Sequence, residues 1–533
     1  MVAEALSIDK SNADHITALE STPGTLPGSP VATRYAIRSF ADGYGGTSEL
    51  LAQRVISKRN RLLAGDVIGA VVDASHSIYA TPTVLDFLAP RVFHTTGDAV
   101  PQGGGVFDSG LAVVSTGYDL GVDAATAGFL DGHLVYAEGF ATAANNGLKE
   151  VTGTSSDIVQ VSGLTAEASP PAGAIIRVVG IQFGTSELDV VKDTNQFPIL
   201  NIASGTLDWT DFAGQLEPGR WIKIGGSAAA DKFTTAANNG YARVRSVTAA
   251  DLTLDLASGG ADGETDMSDE TGTSKTIKIW FSSQYKDEQL DDAKFAKTTA
   301  RHVRRLGAAN PTSAPNDIQA EELLACTHNT CTIGVTSKSE VTVDFGVIGT
   351  NFSSYTGVSS DVDSFDALTP VTIPESEFLT AGRYLTTSRV ATVPADSTGN
   401  AAPPLLTNKV TDWQINMDFQ AQVLESTGSD VGFDVSINEL VATVNFEPYF
   451  TDIASKVAIN NNTTIQMVLG WQRLFNSRTI GFLMDFPRGK LGEGQITVPD
   501  TGALKQSLAL SCFDDTDHDM TMSWNTFWYV ENA

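Results

Sequence analysis

Residues 140–147 read Phe-Ala-Thr-Ala-Ala-Asn-Asn-Gly, and residues 233–240 read Phe-Thr-Thr-Ala-Ala-Asn-Asn-Gly. A strand-like stretch precedes each copy, at 131–136 and 218–224. Two more follow each copy, at 148–151 and 158–161, then at 241–247 and 252–254. Asn145, Asn146 and Gly147, with Asn238, Asn239 and Gly240, are expected to form tight hairpin turns, because Asn and Gly accept φ > 0 at low cost. A solenoid needs about three or more repeats to bury its faces. Two tandem copies therefore read as two small β modules, about 125–195 and 196–275, decorating a larger fold.

Outward from the repeat, most of the chain breaks into short apolar runs bounded by Gly, Asn, Asp and Pro. Strands are predicted at 174–179, 276–281, 340–345, 431–437, 464–469 and 520–530. Helix-like stretches are few: 48–63, where an extended reading competes because Gly43, Gly45 and Gly46 closely precede it, 287–306 and 317–326. The second begins with Asp287, Glu288, Asp291 and Asp292 and ends with Arg301, Arg304 and Arg305, a polarity that suits a helix macrodipole. Residues 1–30 are polar and carry Pro23, Gly24, Pro27, Gly28 and Pro30, so an extended arm is expected there. The fold class is mainly β with one or two helices.

Lys and Arg number 34 against 63 Asp and Glu, a formal charge of −29. That balance excludes a protein gripping nucleic acid through a broad basic face, and it disfavours binding to an anionic membrane. No run of about 18 apolar residues is present, so no transmembrane helix is expected. Residues 1–6, Met-Val-Ala-Glu-Ala-Leu, have neither the basic start nor the apolar core of a secretory signal. Cys326, Cys331 and Cys512 are too few for a disulfide scaffold, and all three are expected to be reduced in a protein made in a cytoplasm.

Catalytic constellations are not evident. The chain has no Gly-x-Ser-x-Gly elbow, no His-Glu-x-x-His and no Walker lysine loop. Cys326-Thr327-His328-Asn329-Thr330-Cys331 is the most metal-like string, but zinc requires a fourth ligand and closer cysteines. Residues 514–519, Asp-Asp-Thr-Asp-His-Asp, lack the Gly and terminal Glu of an EF-hand loop and read as an acidic turn. Residues 262–270 read the same way. Two basic clusters stand out in so acidic a chain: Lys58, Arg59 and Arg61, and Arg301, Arg304 and Arg305. Each is either a solvated helix end or a patch that meets acidic surfaces of neighbouring copies during assembly.

The order of segments resembles the tail tube protein (major tail protein) of long-tailed, siphovirus-like bacteriophages. The resemblance rests on Ser48-Glu49-Leu50 with Arg54 and Arg59, then 65–69 and a stretch through Leu85, Phe87 and Leu88. It continues through the Asn-Asn-Gly modules with 219–224, then 339–349, 434–438 and 482–491, the last containing Asp485, Pro487 and Arg488. It implies a tail-tube β-sandwich or barrel, with residues 1–124 as arm and first part of the tube domain, 125–275 as inserted modules and 276–533 as the remainder. It implies a virion protein, not an enzyme, that needs no cofactor or metal. Hexameric rings would stack into a tube alongside tail terminator, tape measure and distal tail proteins. DNA would pass through an acidic lumen without specific binding and without a membrane. Under that resemblance Arg59, Arg61, Arg304, Arg305, Asp485, Pro487, Arg488 and the Asn-Asn-Gly residues are the assembly candidates. The competing readings are a β-rich surface or fibre adhesin that binds carbohydrate, and a β-rich glycosidase with paired carboxylates.

Overall fold

The computed structural model describes residues 13–21, 23, 25, 34–37, 41–51, 66–96, 110–171, 174–193, 197–205, 207–255, 267–287, 293–306, 319–356, 371–372, 379, 385–392, 410–426, 432–450, 454–475, 478–497 and 502–531. The chain is mainly β and divides into two compact units. Unit 1 holds Met1–His94, Phe295–Ala381 and Asp412–Asn445; unit 2 holds Thr95–Lys294, Gly382–Thr411 and Phe446–Ala533.

Numbered in chain order, the chain opens with β1 (Ala13–Leu19), β2 (Arg34–Ile37), β3 (Ala41–Leu51), β4 (Asp66–Tyr79) and α1 (Pro82–Val92). The repeat region follows with β5 (Ala112–Val114), β6 (Gly117–Asp119), β7 (His133–Glu138), β8 (Gly147–Ser155), β9 (Ile158–Val161), β10 (Ile175–Gln182), β11 (Leu188–Lys192), β12 (Pro198–Ile202), β13 (Trp221–Ile224), β14 (Gly240–Val247), β15 (Asp251–Leu254) and β16 (Lys278–Phe281). Next come β17 (Ser283–Lys286), β18 (Ala300–Leu306), β19 (Gln319–Thr336), β20 (Thr342–Gly349), β21 (Asn351–Thr356), β22 (Val371–Thr372), β23 (Leu385–Thr392), β24 (Val410–Asp418), β25 (Gln422–Leu424), β26 (Asp434–Ser436) and β27 (Val441–Pro448). The chain closes with α2 (Ala454–Asn460), β28 (Thr464–Phe475), β29 (Arg478–Thr497), β30 (Lys505–Cys512) and β31 (Ser523–Val530).

Unit 1 is built on β19. Its first half pairs with β18 and β21, and its second half with β20 and β24, all antiparallel. The change of partners coincides with Ala325, at φ 52°, a left-handed conformation unfavourable for a residue with a Cβ. The Glu20 carboxylate fixes that kink by accepting from Ala325 N at 3.1 Å. β4 extends the second half beyond β20, and β3 pairs with β4. α1 starts where sequence rules place a helix: Thr81 is the N-cap, its Oγ1 accepts from Val84 N at 3.0 Å, and Pro82 takes the first turn. Leu85, Leu88, Ala89 and Val92 lie at helical spacing and are buried.

The helix expectations at 287–306 and 317–326 do not hold, and the first four residues of 48–63 follow the extended alternative. Residues 48–51 belong to β3, and the rest of 48–63 lies outside the described residues. The 287–306 stretch contains β18, and 317–326 contains the start of β19. Helix formers such as Glu321, Glu322, Leu323 and Leu324 are a weak prior that strand pairing on both sides overrides. The basic end of the gradient meets acids across the strands instead: Arg304 lies opposite Glu321 in the β18–β19 register. The two α-helices among the described residues are α1 and α2.

In unit 2 both sequence repeats lie in one twelve-stranded sheet, in the order β11-β12-β15-β14-β13-β16-β10-β7-β8-β9-β6-β5. The order is mirrored about its centre. The first repeat is β5 to β10 and the second β11 to β16, and each half runs hairpin, third, second, first, fourth strand. The halves join where β10 and β16 pair antiparallel, with Ile181 opposite Ile279. The repeat therefore starts earlier than the 125–195 and 196–275 boundaries suggested.

The sheet is covered on both faces. One cluster contains Val135, Val151, Ile176, Trp209, Ile222, Val244 and Ile279 from both halves. A second joins Leu134, Tyr136, Val179, Trp221, Tyr241 and Trp280 to Val468, Leu483, Phe527, Trp528 and Val530 of β28, β29 and β31. Burying each large apolar side chain contributes about 1.5–3 kcal/mol, and this second cluster takes such side chains from the repeat sheet and from β28, β29 and β31 alike. The repeats are thus integral to unit 2, not appended to it. A chain lacking residues 125–275 is expected to lose the near-ultraviolet signal and hydrogen-exchange protection of β28 to β31. Retained cooperative unfolding of those strands would show that the repeats are dispensable.

Candidate functional site: a sheet face without cations and a buried charge clamp

Along β4, Val72, Ala74, His76 and Ile78 point into the core, while Asp73, Ser75, Ser77 and Tyr79 point away. β20 repeats the alternation, with Val343, Phe345 and Val347 inside and Thr342, Asp344 and Gly346 outside. In β19 Cys331, Ile333 and Val335 are buried while Thr330, Thr332 and Thr336 face out. In β24 Trp413, Ile415 and Met417 are buried while Asp412, Gln414, Asn416 and Asp418 face out.

The register aligns these outward positions in rows across the sheet. One row is Ser77, Asp344, Thr332 and Asn416; the next is Ser75, Gly346, Thr330 and Asp418. Thr332 Oγ1 donates to Asn416 Oδ1 at 3.1 Å. Gly43 continues the second row beside Ser75, where a Cβ would come within 2.8 Å of the Ser75 hydroxyl. The outward positions of β4, β20, β24 and the second half of β19 named here include Asp73, Asp344, Asp412 and Asp418 and no Lys or Arg. Most of these side chains are short and polar, Tyr79 and Gln414 being the larger ones, and the charged ones are negative.

The second feature lies in unit 2. Arg243, on β14, is buried between two carboxylates. Its Nε donates to Asp255 Oδ2 at 2.6 Å, and its Nη1 donates to Asp485 at 2.9 Å. Its Nη2 donates to Gln466 Oε1 at 3.0 Å. The Trp221 indole N–H also donates to Asp485, at 2.9 Å. His518 Nε2 lies 2.9 Å from Asp255 Oδ2, and His518 Nδ1 contacts Asp515. Burial pushes the Asp255 carboxyl up, but Arg243 and His518 outweigh it and hold the group well below the usual carboxylate range. Burial and the Arg243 charge push His518 down, and its bonds to Asp255 and Asp515 more than reverse them, so its pKa is raised.

The Asn-Asn-Gly segments form a third arrangement, repeated atom for atom. Asn145 Nδ2 donates to Glu167 Oε2 at 2.9 Å, and Asn238 Nδ2 donates to Glu270 Oε2 at 2.8 Å. The Glu167 carboxylate also accepts from Ala141 N and Thr142 N, and Glu270 from Thr234 N and Thr235 N. Asn146 Oδ1 accepts from Phe140 N at 3.0 Å, and Asn239 Oδ1 from Phe233 N at 2.9 Å. Each segment is a 3-10 turn, not a hairpin turn. Asn146 and Asn239 have φ of −96° and −116°, and only Gly147 and Gly240 are left-handed, at 94° and 114°. The asparagines are there for their side-chain amides.

The remaining predicted residues scatter. Asp485 joins the clamp. Pro487 sits where β29 leaves β31, whose pairing ends at Asp485, for β30, whose pairing begins at Gly489. A residue without an N–H suits that gap in the ladder. Arg488 is exposed. Arg304 Nε donates to Glu321 Oε2 at 3.0 Å within the chain, and the backbone of Arg305 lies opposite Ala320. Arg59 and Arg61 lie outside the described residues. Cys326 and Cys331 are separate buried thiols, both pushed up by burial, and the carboxylates of Asp515 and Asp517 contact His518 and Arg245. Among the described residues no group of three or more His, Cys, Asp or Glu is placed to hold a metal ion.

Sequence reasoning missed Arg243, Asp255, Glu167 and Glu270. The glutamates follow their asparagines at unequal distances, so a short repeat window loses them. No protein-family model matches the chain, and no curated protein matches it.

Breaking a buried ion pair by removing one partner costs about 3–5 kcal/mol. Asp485→Asn is expected to destabilise unit 2 by that order in urea titrations. Arg243→Met should cost more than Asp485→Asn, because it takes the shared cation from both Asp255 and Asp485. The clamp also carries a pH signature. The raised His518 contributes stability fully below its ordinary value of 6.5, and that contribution fades as pH rises through its folded pKa. The lowered Asp255 and Asp515 contribute above their ordinary 3.8, and their contribution fades as pH falls through their folded values. His518→Gln should flatten the loss on the alkaline side and, by letting Asp255 and Asp515 rise, reduce their contribution on the acid side as well.

Proposed function

We propose that the chain is a structural subunit of a phage tail tube, polymerising as stacked hexameric rings around a channel for DNA. The observation that carries this reading is the sheet face of unit 1 formed by β4, β20, β24 and the second half of β19. Its described outward positions are mostly small and polar, and the charged ones are acidic, which suits the wall of a DNA conduit. A duplex passing a wall is held back by every cation that neutralises a phosphate, because each such contact releases counterions and adds affinity. Aspartates repel phosphates by about 1 kcal/mol per pair at 4 Å in water, and salt shortens the reach to about 8–10 Å. Such weak repulsion suits conduction: it prevents adhesion without presenting a barrier. Ser, Thr, Gly and Asn keep the face smooth.

Long strands fit the same role. β19 has 18 residues and β29 has 20, against about 5–6 in a typical strand. The formal charge of −29 demands that copies meet through shape and strand pairing more than through net attraction.

Charge reversal at exposed outward positions tests the reading. The triple variant Asp73→Lys, Asp344→Lys, Asp418→Lys replaces solvent-facing side chains and is expected to fold. Assembled wild-type protein should not retain short duplex DNA, while the variant should retain it with a steep decline as salt rises. Equal behaviour of the two toward DNA would place this face away from any channel.

A further inference from the structure

Four of the seven histidines, His76, His94, His302 and His328, are buried together in unit 1. They come from four places in the chain: β4, the turn after α1, β18 and β19. The rings of His76 and His302 stack with centroids 5.8 Å apart, and those of His302 and His328 lie 6.1 Å apart. Phe345 of β20 packs on both ends, 5.1 Å from His76 and 5.4 Å from His328. His94 Nε2 lies 3.1 Å from the His328 carbonyl oxygen, so that nitrogen carries the proton and donates. The edge of Phe419 closes the far side of His94 at 5.0 Å.

The charged groups near the stack offer a second proton no welcome. From α1 comes Arg91, whose Nη1 contacts the Phe87 carbonyl. From the segment before β18 comes Lys297, which pairs with Asp434 of β26. The acids of the flanking strands are engaged elsewhere or face away. Glu322 of β19 pairs with Arg301 of β18, and Glu321 with Arg304. Glu20, after β1, accepts from Ala325 N. Asp73 of β4, Asp344 of β20 and Asp418 of β24 lie on the opposite face of the sheet. The thiols of Cys326 and Cys331 are buried and neutral.

We propose that the stack is a proton-operated latch: neutral, it holds α1 and β18 against β4, β19 and β20, and protonation on acidification releases them. Imidazolium rings at these separations repel one another, and burial denies them water. Unit 1 would thus open in acid through its own core, independently of what the sheet face conducts.

The protonation energetics agree in sign. Burial pushes His94 down to about 4, the His328 carbonyl partly counters it and Lys297 adds to it. His328 is pushed well below 6.5 by burial first, then by the neighbouring His302, Arg91, His94 and His76. A histidine lowered in the folded state gives full stability above 6.5 and loses it as pH falls toward the folded value. For His94 alone the folded-to-unfolded ratio falls about 100-fold between pH 7 and pH 4.

Hydrogen exchange of the full chain, corrected for intrinsic rates, tests the latch at pH 7.5 and pH 4.5. In wild type, peptides covering α1, β18 and β19 are expected to exchange at least about 10-fold faster at the lower pH, while those covering β7 and β13 of unit 2 do not. The double variant His302→Phe, His328→Phe should keep its protection at pH 4.5. The milder His94→Phe should move the midpoint to lower pH. Wild-type protection that is equal at both pH values would overturn the proposal. So would an acid loss of the same size in wild type and in whichever variant folds.

Discussion

A guanidinium stripped of water sets the constraint on which unit 2 depends. Arg243 reaches its buried position only because Asp255 comes from its own module and Asp485 from β29, while Gln466 and Trp221 complete the shell. Removing any one partner leaves a charge in a medium that cannot solvate it. The clamp therefore demands that β14, β15 and β29 keep one relative placement. Apolar packing of Trp221, Tyr241 and Phe527 around it supplies attraction, but attraction without direction. The ion pairs supply the direction.

The duplication shows what such a constraint selects. Both halves of the twelve-stranded sheet keep the same clasp: two asparagines, one left-handed glycine and a distant glutamate. Counting from the asparagines, the position of Arg243 in the second half is Glu150 in the first. Arg243 is buried, while Glu150 is exposed. The framework residues repeat because each half must close its own turn. The docking residues differ because only one half meets Asp485.

Much of this was legible in the sequence, and the rest was hidden for physical reasons. Strand alternation such as Val72-Asp73-Ala74-Ser75-His76-Ser77-Ile78 is a local signal with a period of two. The six predicted strands each overlap an observed one, and the mainly β class follows from them. The helix predictions at 287–306 and 317–326 failed because Glu321 to Ala325 and the acid-to-base run before Leu306 satisfy helix rules locally, while pairing partners far away in sequence decide the outcome. α1 was overlooked although Thr81-Pro82 and the spacing of Leu85, Leu88, Ala89 and Val92 announce it. Asp485 was picked out only through a family resemblance. Its true partner, Arg243, lies 242 residues away in sequence, and no local pattern joins them.

The tube reading stands or falls on where the acidic sheet face sits in the assembled protein. Electron cryomicroscopy of the purified chain, concentrated until it polymerises, addresses that directly. The account predicts hollow tubes of uniform bore, with Asp73, Asp344 and Asp418 lining the channel. Tubes with that face on the outside, or a chain that stays monomeric at every concentration, would contradict it.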